Sequence, residues 1–524
     1  MSLARSTVLV MAATFASTLF GFVREVINAR YYGTQWQMDA FLAAATIPTI
    51  LFGVFNGALV SALVPIFTEY VARDDEEGAW RLASTVLALL FVALSVLALL
   101  GWYLAPWYVP VVARGFPAHQ LQVTVEMTRW LMPSIVATSL AGVLSAMLNA
   151  NGRFSASAAQ GIAINVVTIA VVLFFNQRFG IFALVLGTSL GLTAQLLVQL
   201  PPVLRLRMYR PVVDLNHPGL AKIWMMLGPI VVGSAAGQVS IFFDRHFAST
   251  LTPGYIAGMN YAIKIVGFPQ QFFAAAIATV IFPLLASQFA SANRGGVRRS
   301  VVMGLRLVNL VTIPSVFGLI ILARPIVAAL FQRGAFGPTA TDLTSGLLPY
   351  SAIGLVGIAA SIVLTRCCFA CKETRWTVAI SVFAVVLNVV LSVTWLPTLG
   401  ARGLLLANSL SQWAQAALLL VLTWRLVRGL DWKPIALSGM RVLICALAMV
   451  LALQWIASLG VHVGPRFVDR AWYLCGQLLI ASLAFLGAAR LLGVEELGIA
   501  YHLILQKFEA RVPSPLEARD APIA

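Results

Sequence analysis

The segment GIFALVLGTSLGLTAQ, residues 180–195, returns without a gap as GARGLLLANSLSQWAQ, residues 400–415. Gly180, Leu184, Ser189, Leu190, Ala194 and Gln195 meet identical residues 220 positions later. Two further pairs keep nearly the same spacing. LAPWYVPVVARGF (104–116) meets LARPIVAALFQRGAF (322–336) at an offset of 218 or 219, and ALVPIFTEYVA (62–72) meets VIFPLLASQFA (280–290) at 218. Three matches at one offset, in one order, are not chance likeness among greasy segments. The chain carries an internal repeat with a period near 220 residues.

The medium of that repeat follows from composition. Of 524 residues 60% are hydrophobic and only 10% charged, with mean hydropathy +0.91. A soluble chain carries roughly 25% charged residues, so an ordinary soluble enzyme is excluded. Apolar runs of about 20 residues recur from end to end, the length that crosses a bilayer as a helix. Fourteen spans are expected, near 7–30, 38–70, 82–108, 122–148, 156–177, 181–204, 220–247, 255–289, 301–330, 340–365, 376–396, 402–424, 436–459 and 471–493. Met1–Arg5 and the run after it resemble a signal peptide, but no small-residue cleavage site follows, so the segment reads as a retained first span.

Basic residues set the orientation. With the N-terminus inside, the inner segments hold 22 Lys and Arg and the outer loops seven. The positive-inside rule then puts both termini in the cytoplasm. The net charge of +16 is spread over these short loops, so no nucleic-acid partner is expected. Six spans per copy give both copies the same orientation, and hence a pseudo-twofold axis along the membrane normal. The expected fold is an all-α polytopic membrane protein of about 14 transmembrane helices. Its parts are a first lobe at 1–215, a second at 216–430, two extra helices within 431–495 and a cytoplasmic tail at 496–524. Two packed lobes enclosing a cleft are the architecture of an alternating-access transporter.

Charges inside the spans point to the cargo. The stretch FGFVREVINARYYG, residues 20–33, sets Arg24 beside Glu25 deep in the first apolar run. Lys264 stands early in the eighth span, and Asp39 opens the second at a similar level. A cation at a bilayer centre costs roughly 2.5–3.5 kcal/mol on the insertion scale, so such residues face protein or water. Arg24 and Lys264, one from each lobe at one depth, suit an anion such as a diphosphate: Arg supplies a planar fork, Lys a mobile point charge. Glu25 and Asp39 would balance them in the empty pocket. The other intramembrane bases read as structural. Arg129 is spaced to pair with Glu126, Arg245 adjoins Asp244, Arg306 is placed to snorkel inward, and Arg324 opens an Arg-Pro turn.

Other clusters are weaker. Asp244, Asn388, Ser392 and Asn408 are placed to converge in the second lobe, as oxygen ligands for a hard cation or as a hydrogen-bond cluster. Cys367, Cys368 and Cys371 lack further soft ligands at metal spacing, so packed, reduced thiols are expected and no metal. The five histidines are scattered, and neither a nucleophile–base pair nor a glycine-rich phosphate loop appears, so no enzyme is expected.

The segments GFVREVINARYYG, MDAFLAAATIP, LVPIFTEY, FDRHFASTL, YAIKIVGFP and VIFPLLASQFA together resemble the MurJ (MviN) lipid II flippase family. That family lies in the multidrug/oligosaccharidyl-lipid/polysaccharide exporter superfamily, and the resemblance covers the whole chain. It implies a V-shaped alternating-access carrier in the bacterial inner membrane. The carrier moves the polyprenyl-diphosphate-linked peptidoglycan precursor, lipid II, from the inner to the outer leaflet. A monovalent cation or the membrane potential drives it, with no cofactor. The last two spans, in 431–495, form a groove for the lipid tail. Besides cargo and membrane lipids, the resemblance implies a monomer that contacts cell-wall synthesis proteins. Residue by residue, Arg24, Glu25 and Asp39 match the family's charged positions, and Lys264 stands at its span-eight Arg. Thr18 replaces the first Arg of span one, Phe52 and Gly53 replace an Arg pair in span two, and only Asn56 stands near the acid that follows. The substrate-binding residues expected are thus Arg24, Glu25, Asp39, Asn56 and Lys264. The alternatives on the same fold are a flippase for another lipid-linked surface polysaccharide and a drug or metabolite cation antiporter. The cationic pocket argues against the antiporter, which needs an acidic one.

Overall fold

A computed structural model describes residues 3–151, 153–204, 212–271, 275–291, 293–459, 464 and 466–498. Of the tail expected at 496–524, residues 499–524 lie outside the described residues. The described chain is helical and holds no strand. The first copy of the repeat supplies α1 (Leu3–Tyr32), α2 (Trp36–Ala44), α3 (Thr46–Ala72), α4 (Glu76–Val112), α5 (Ala118–Leu131), α6 (Ser134–Ala150), α7 (Phe154–Phe179), α8 (Phe182–Leu197) and α9 (Leu200–Leu204). The second supplies α10 (Pro218–Ala248), α11 (Tyr255–Pro269), α12 (Ala275–Ala290), α13 (Arg294–Ile321), α14 (Ala323–Phe331), α15 (Pro338–Ala352), α16 (Leu355–Ala370), α17 (Arg375–Leu399) and α18 (Ala401–Leu426). Two more follow, α19 (Trp432–Ser458) and α20 (Phe467–Leu491).

In lipid the backbone must satisfy its own hydrogen bonds, which is why these apolar runs are helices. Among the described residues ten spans, some of them two consecutive helices, are long and apolar enough to cross a membrane. The pair α15 and α16, bent by 42°, makes an eleventh. The other expected spans fall on α1, α10 and the α11–α12 pair. Breaks sit at prolines: Pro133 parts α5 from α6, and Pro349 lies in the last turn of α15, where a missing N–H and a bulky ring weaken the ladder.

The repeat is visible in local devices. Gly180 ends α7 with φ +54°, and Gly400 ends α17 with φ +56°; only glycine takes that conformation without cost. Asp75 Oδ1 accepts from Gly78 N–H at 2.8 Å to cap α4, and Asn293 Oδ1 accepts from Gly296 N–H at 2.9 Å to cap α13. Ser189 Oγ donates to Trp130 O at 3.1 Å, and Ser409 Oγ donates to Tyr350 O at 2.6 Å. Each of these pairs is separated by the repeat offset.

The chain folds into two compact units. The first comprises Met1–Ala262, Leu330–Leu347 and Ser381–Asn408. Its core joins α3, α4 and α6 through Leu63, Phe67, Trp80, Leu144 and Met147. Within it α3 and α10 run side by side, from Gly53 beside Gln238 to Glu69 facing Lys222 at 3.5 Å. The second unit comprises Ile263–Ala329, Leu348–Ile380 and Ser409–Ala524. One cluster there packs α13 on α16 and α18 around Val301, Val363 and Leu419. Another packs α13 on α19 and α20 around Val442, Leu453 and Phe485.

Candidate functional site

In the first unit, α1 carries the charge pair that its sequence displays. Arg24 Nη2 meets Glu25 Oε1 at 3.0 Å; the Arg24 side chain is 23% exposed and that of Glu25 10%. The acid is thus buried and the base half-buried. The guanidinium has five N–H donors, and this bond takes one of them. Thr18, one and a half turns earlier, turns its hydroxyl back onto Thr14 O at 2.9 Å and so presents no charge.

Asp39 departs from expectation. Its carboxylate does not bridge to Arg24. It accepts the Gly254 N–H at 2.5 Å through Oδ2 and the Ala257 N–H at 2.7 Å through Oδ1. Only 2% of Asp39 is exposed. The first N–H groups of a helix have no partner inside it and carry partial positive charge. Asp39 of α2 therefore caps α11, joining the first copy of the repeat to the second.

Asn56 is also placed otherwise. Its amide oxygen presses on Gly142 of α6, where any Cβ would collide with it, and it is buried without a hydrogen-bond partner. It packs α3 on α6. Gly53, where the family resemblance puts a base, leaves its space to the Gln238 amide of α10, less than 3.0 Å from where a Cβ would stand. Gln238 carries no sequence signal, because nothing local links α10 to α3. Lys264 stands on α11 within the second unit, with its side chain exposed.

Three of the four expected cation ligands come together in the first unit. Asn388 Nδ2 donates to Asp244 Oδ1 at 3.3 Å, and Ser392 Oγ donates to Asn388 Oδ1 at 3.5 Å. Asn388 and Ser392 are buried. Asn408, on α18, is not hydrogen-bonded to them.

Two bases read as structural use other partners than expected. Arg129 ignores Glu126; its guanidinium lies 4.8 Å over the Trp102 ring and its Nε donates to Trp102 O at 3.2 Å. Arg306 does not snorkel freely. Its Nε meets Glu496 at 2.5 Å and its Nη2 meets Glu495 at 2.9 Å, beyond the end of α20. These partners lie 189 and 190 residues away, out of reach of any local pattern. Cys367 and Cys368 are buried in the α13–α16–α18 core, and Cys368 Sγ lies 3.7 Å from Thr423 Oγ1.

The second unit also holds apolar clefts. One of about 540 Å3 runs between α13, α16, α18 and α19, with Asn309 and Trp413 as its polar-edged lining. Another lies between α13, α19 and α20 beside Pro314, Gly318 and Phe485.

Comparison with known proteins places this arrangement. The family profile described as "Lipid II flippase MurJ" matches residues 28–465. "Lipid II flippase MurJ" of Burkholderia cenocepacia is 28% identical, with 94% of this chain and 98% of that protein covered. A relative from Vibrio cholerae is 29% identical, with 94% and 96% covered. Among solved structures, "Lipid II flippase MurJ, inward closed conformation" matches with a TM-score of 0.79 at 21% identity, covering 92% of this chain and 98% of that one. An inward-facing multidrug resistance MATE transporter of the MOP superfamily matches with a TM-score of 0.69 at 14% identity, over 80% of this chain and 98% of that one. These structural likenesses show the fold alone, an all-helical polytopic one. With a profile match across most of its length, the chain belongs to the MurJ lipid II flippase family.

Proposed function

We infer that the protein flips lipid II, the polyprenyl-diphosphate-linked peptidoglycan precursor, from the inner to the outer leaflet of the bacterial cytoplasmic membrane. The observation that carries the inference is the family match over residues 28–465. The chemistry agrees with it. A half-buried guanidinium, Arg24, lies far inside the first apolar helix with a single carboxylate partner. Among the described residues no second acid pairs with it, so it suits a diphosphate better than a cationic drug. Lys264 offers a second charge of the same sign. Arg24 is proposed to grip the diphosphate, with Glu25 holding Arg24 when cargo is absent, and Lys264 is proposed separately as a base that meets the cargo.

The excess of inner over outer bases supports both termini lying in the cytoplasm. In that orientation α1 ends, α4 ends and α11 begins at the outer surface, where Asp39 ties the two repeat copies together. A tie at the outer surface suits a state that loads cargo from the cytoplasm. The lobes proposed to rock are 1–215 and 216–430, with α19 and α20 adding the tail groove. The apolar clefts beside α13 and α19 suit a polyprenyl chain.

The Asp244, Asn388 and Ser392 donors have the hard-oxygen character that a cation such as a sodium ion takes. They are proposed as the coupling-ion site, with the ion gradient or membrane potential driving the cycle. The test of function is complementation of a MurJ-depleted bacterium, paired with translocation of labelled lipid II in vesicles. Growth rescue and flipping are expected. Failure of both, with transport of another polyprenyl-diphosphate saccharide intact, would replace lipid II as the cargo.

A further inference from the structure

The first unit contains one contact made twice. Gly115, after α4, lies against the end of α10: its N–H donates to Ser249 Oγ at 3.3 Å. A Cβ at Gly115 would come within 3.0 Å of the Ser249 carbonyl oxygen and of Thr250 Cα. Gly334, after α14, lies against the end of α1: the next residue, Ala335, donates its N–H to Arg30 O at 2.8 Å. A Cβ at Gly334 would likewise come within 3.0 Å of the Arg30 carbonyl oxygen.

The numbering relates the two. Residues 115 and 334 differ by 219, and so do 30 and 249. The repeat therefore maps one contact onto the other with the copies exchanged. The glycine of the first copy meets the second copy, and the glycine of the second copy meets the first. Contacts that swap partners in this way are those made about a twofold axis. In each case a glycine meets main-chain atoms of the opposite copy, so neither side has a flexible side chain to move aside. Gly334 needs its glycine for a second reason, a φ of +60°. Gly115 has no left-handed φ; closeness is the only demand on it.

We propose that Gly115–Ser249 and Gly334–Arg30 form a paired seal that holds the outer mouth shut, and that a side chain at either glycine drives the protein toward the outward-open state. Repulsion between a Cβ and a fixed carbonyl is relieved only by parting the two copies. Parting them is the movement that exposes the cavity outside. The proposal rests on the orientation and alternating access argued above.

The test uses the full-length protein in cells, with its five native cysteines replaced and Asn28→Cys as reporter. Asn28 is 4% exposed, two residues before Arg30. A membrane-impermeant maleimide is applied from outside and, in inverted vesicles, from the cytoplasmic face. Slow outside labelling is expected for the parent, and several-fold faster labelling for Gly115→Ala and for Gly334→Ala. Gly180→Ala is the control for backbone strain, since Gly180 has φ +54° with nothing within 4 Å of its Cβ position; its labelling should match the parent. Unchanged outside labelling in Gly115→Ala overturns the seal. Acceleration confined to the cytoplasmic face instead overturns the orientation on which it rests. Should Gly115→Ala fail to accumulate, the pair Arg30→Cys and Ala335→Cys is joined as a disulfide by oxygen with a copper catalyst. Transport is expected to stop and to return on reduction; transport that continues through the cross-link overturns the proposal.

Discussion

Asp39 and Ala257 are 218 residues apart, the repeat offset, and the carboxylate of the first accepts the backbone N–H of the second at 2.7 Å. Corresponding points of the two copies are thus tied to each other, and the acid present in one copy serves the helix start of the other. Asp39→Ala removes a cap with two buried bonds and is expected to cost about 1–3 kcal/mol. Thermal unfolding in detergent, followed by fluorescence, should show the drop. Asp39→Asn keeps an acceptor and should lose less. A loss of flipping in Asp39→Asn with no thermal shift would instead make Asp39 a cargo ligand.

Arg24→Ala is expected to abolish lipid II flipping while expression and insertion stay near normal. A cation in a low-dielectric cleft interacts strongly with a diphosphate, and removing one member of a charge-assisted pair typically costs about 2–5 kcal/mol. Arg24→Lys should also be impaired, because an ammonium cannot replace a bidentate fork. Glu25→Gln should be milder. The measurement is vesicle translocation with protein levels checked in parallel; near-normal flipping by Arg24→Ala would assign the pair to helix packing.

Lys264→Arg restores the family's own base and should keep or raise transport, whereas Lys264→Ala should reduce it. Equal activity of all three proteins would remove Lys264 from the cargo site.

Asp244→Asn and Ser392→Ala are expected to weaken dependence of flipping on the external cation while leaving the fold intact. Rates are to be compared across sodium and potassium gradients of equal size. If flipping by the variants keeps the parent's ion response, Asp244, Asn388 and Ser392 are a hydrogen-bond cluster only.

Arg306→Ala strands Glu496, which is 2% exposed, next to the end of α20. Removing one partner of a buried pair is costly, and with Arg306 itself partly exposed the expected loss is up to roughly 3 kcal/mol. Adding Glu496→Gln should recover much of it. Additive losses in the double variant would show that the two side chains are not coupled.

What the sequence settled by itself are the features carried by local pattern. Apolar runs of bilayer length can only be helices in lipid, so the all-helical class followed from composition. The glycines that end α7 and α17 were legible as repeated residues, because a turn depends on its own few neighbours. Arg24 and Glu25 likewise met as adjacent residues. Tertiary structure decided the rest, wherever a side chain's partner lies far along the chain. Asp39 had an equally good local reading as a counter-ion to Arg24, and only the approach of α11 turned it into a cap. Asn56 and Gly53 were read by position, while the packing of α6 and α10 against α3 gave them neighbours instead of open water. Arg129 chose an indole over Glu126, and Arg306 found its acids 189 and 190 residues away. The physical reason is common to all of them. A buried charge or amide must take whichever partner the packed helices bring within about 3 Å, and helix packing is not written in the spacing of any one segment.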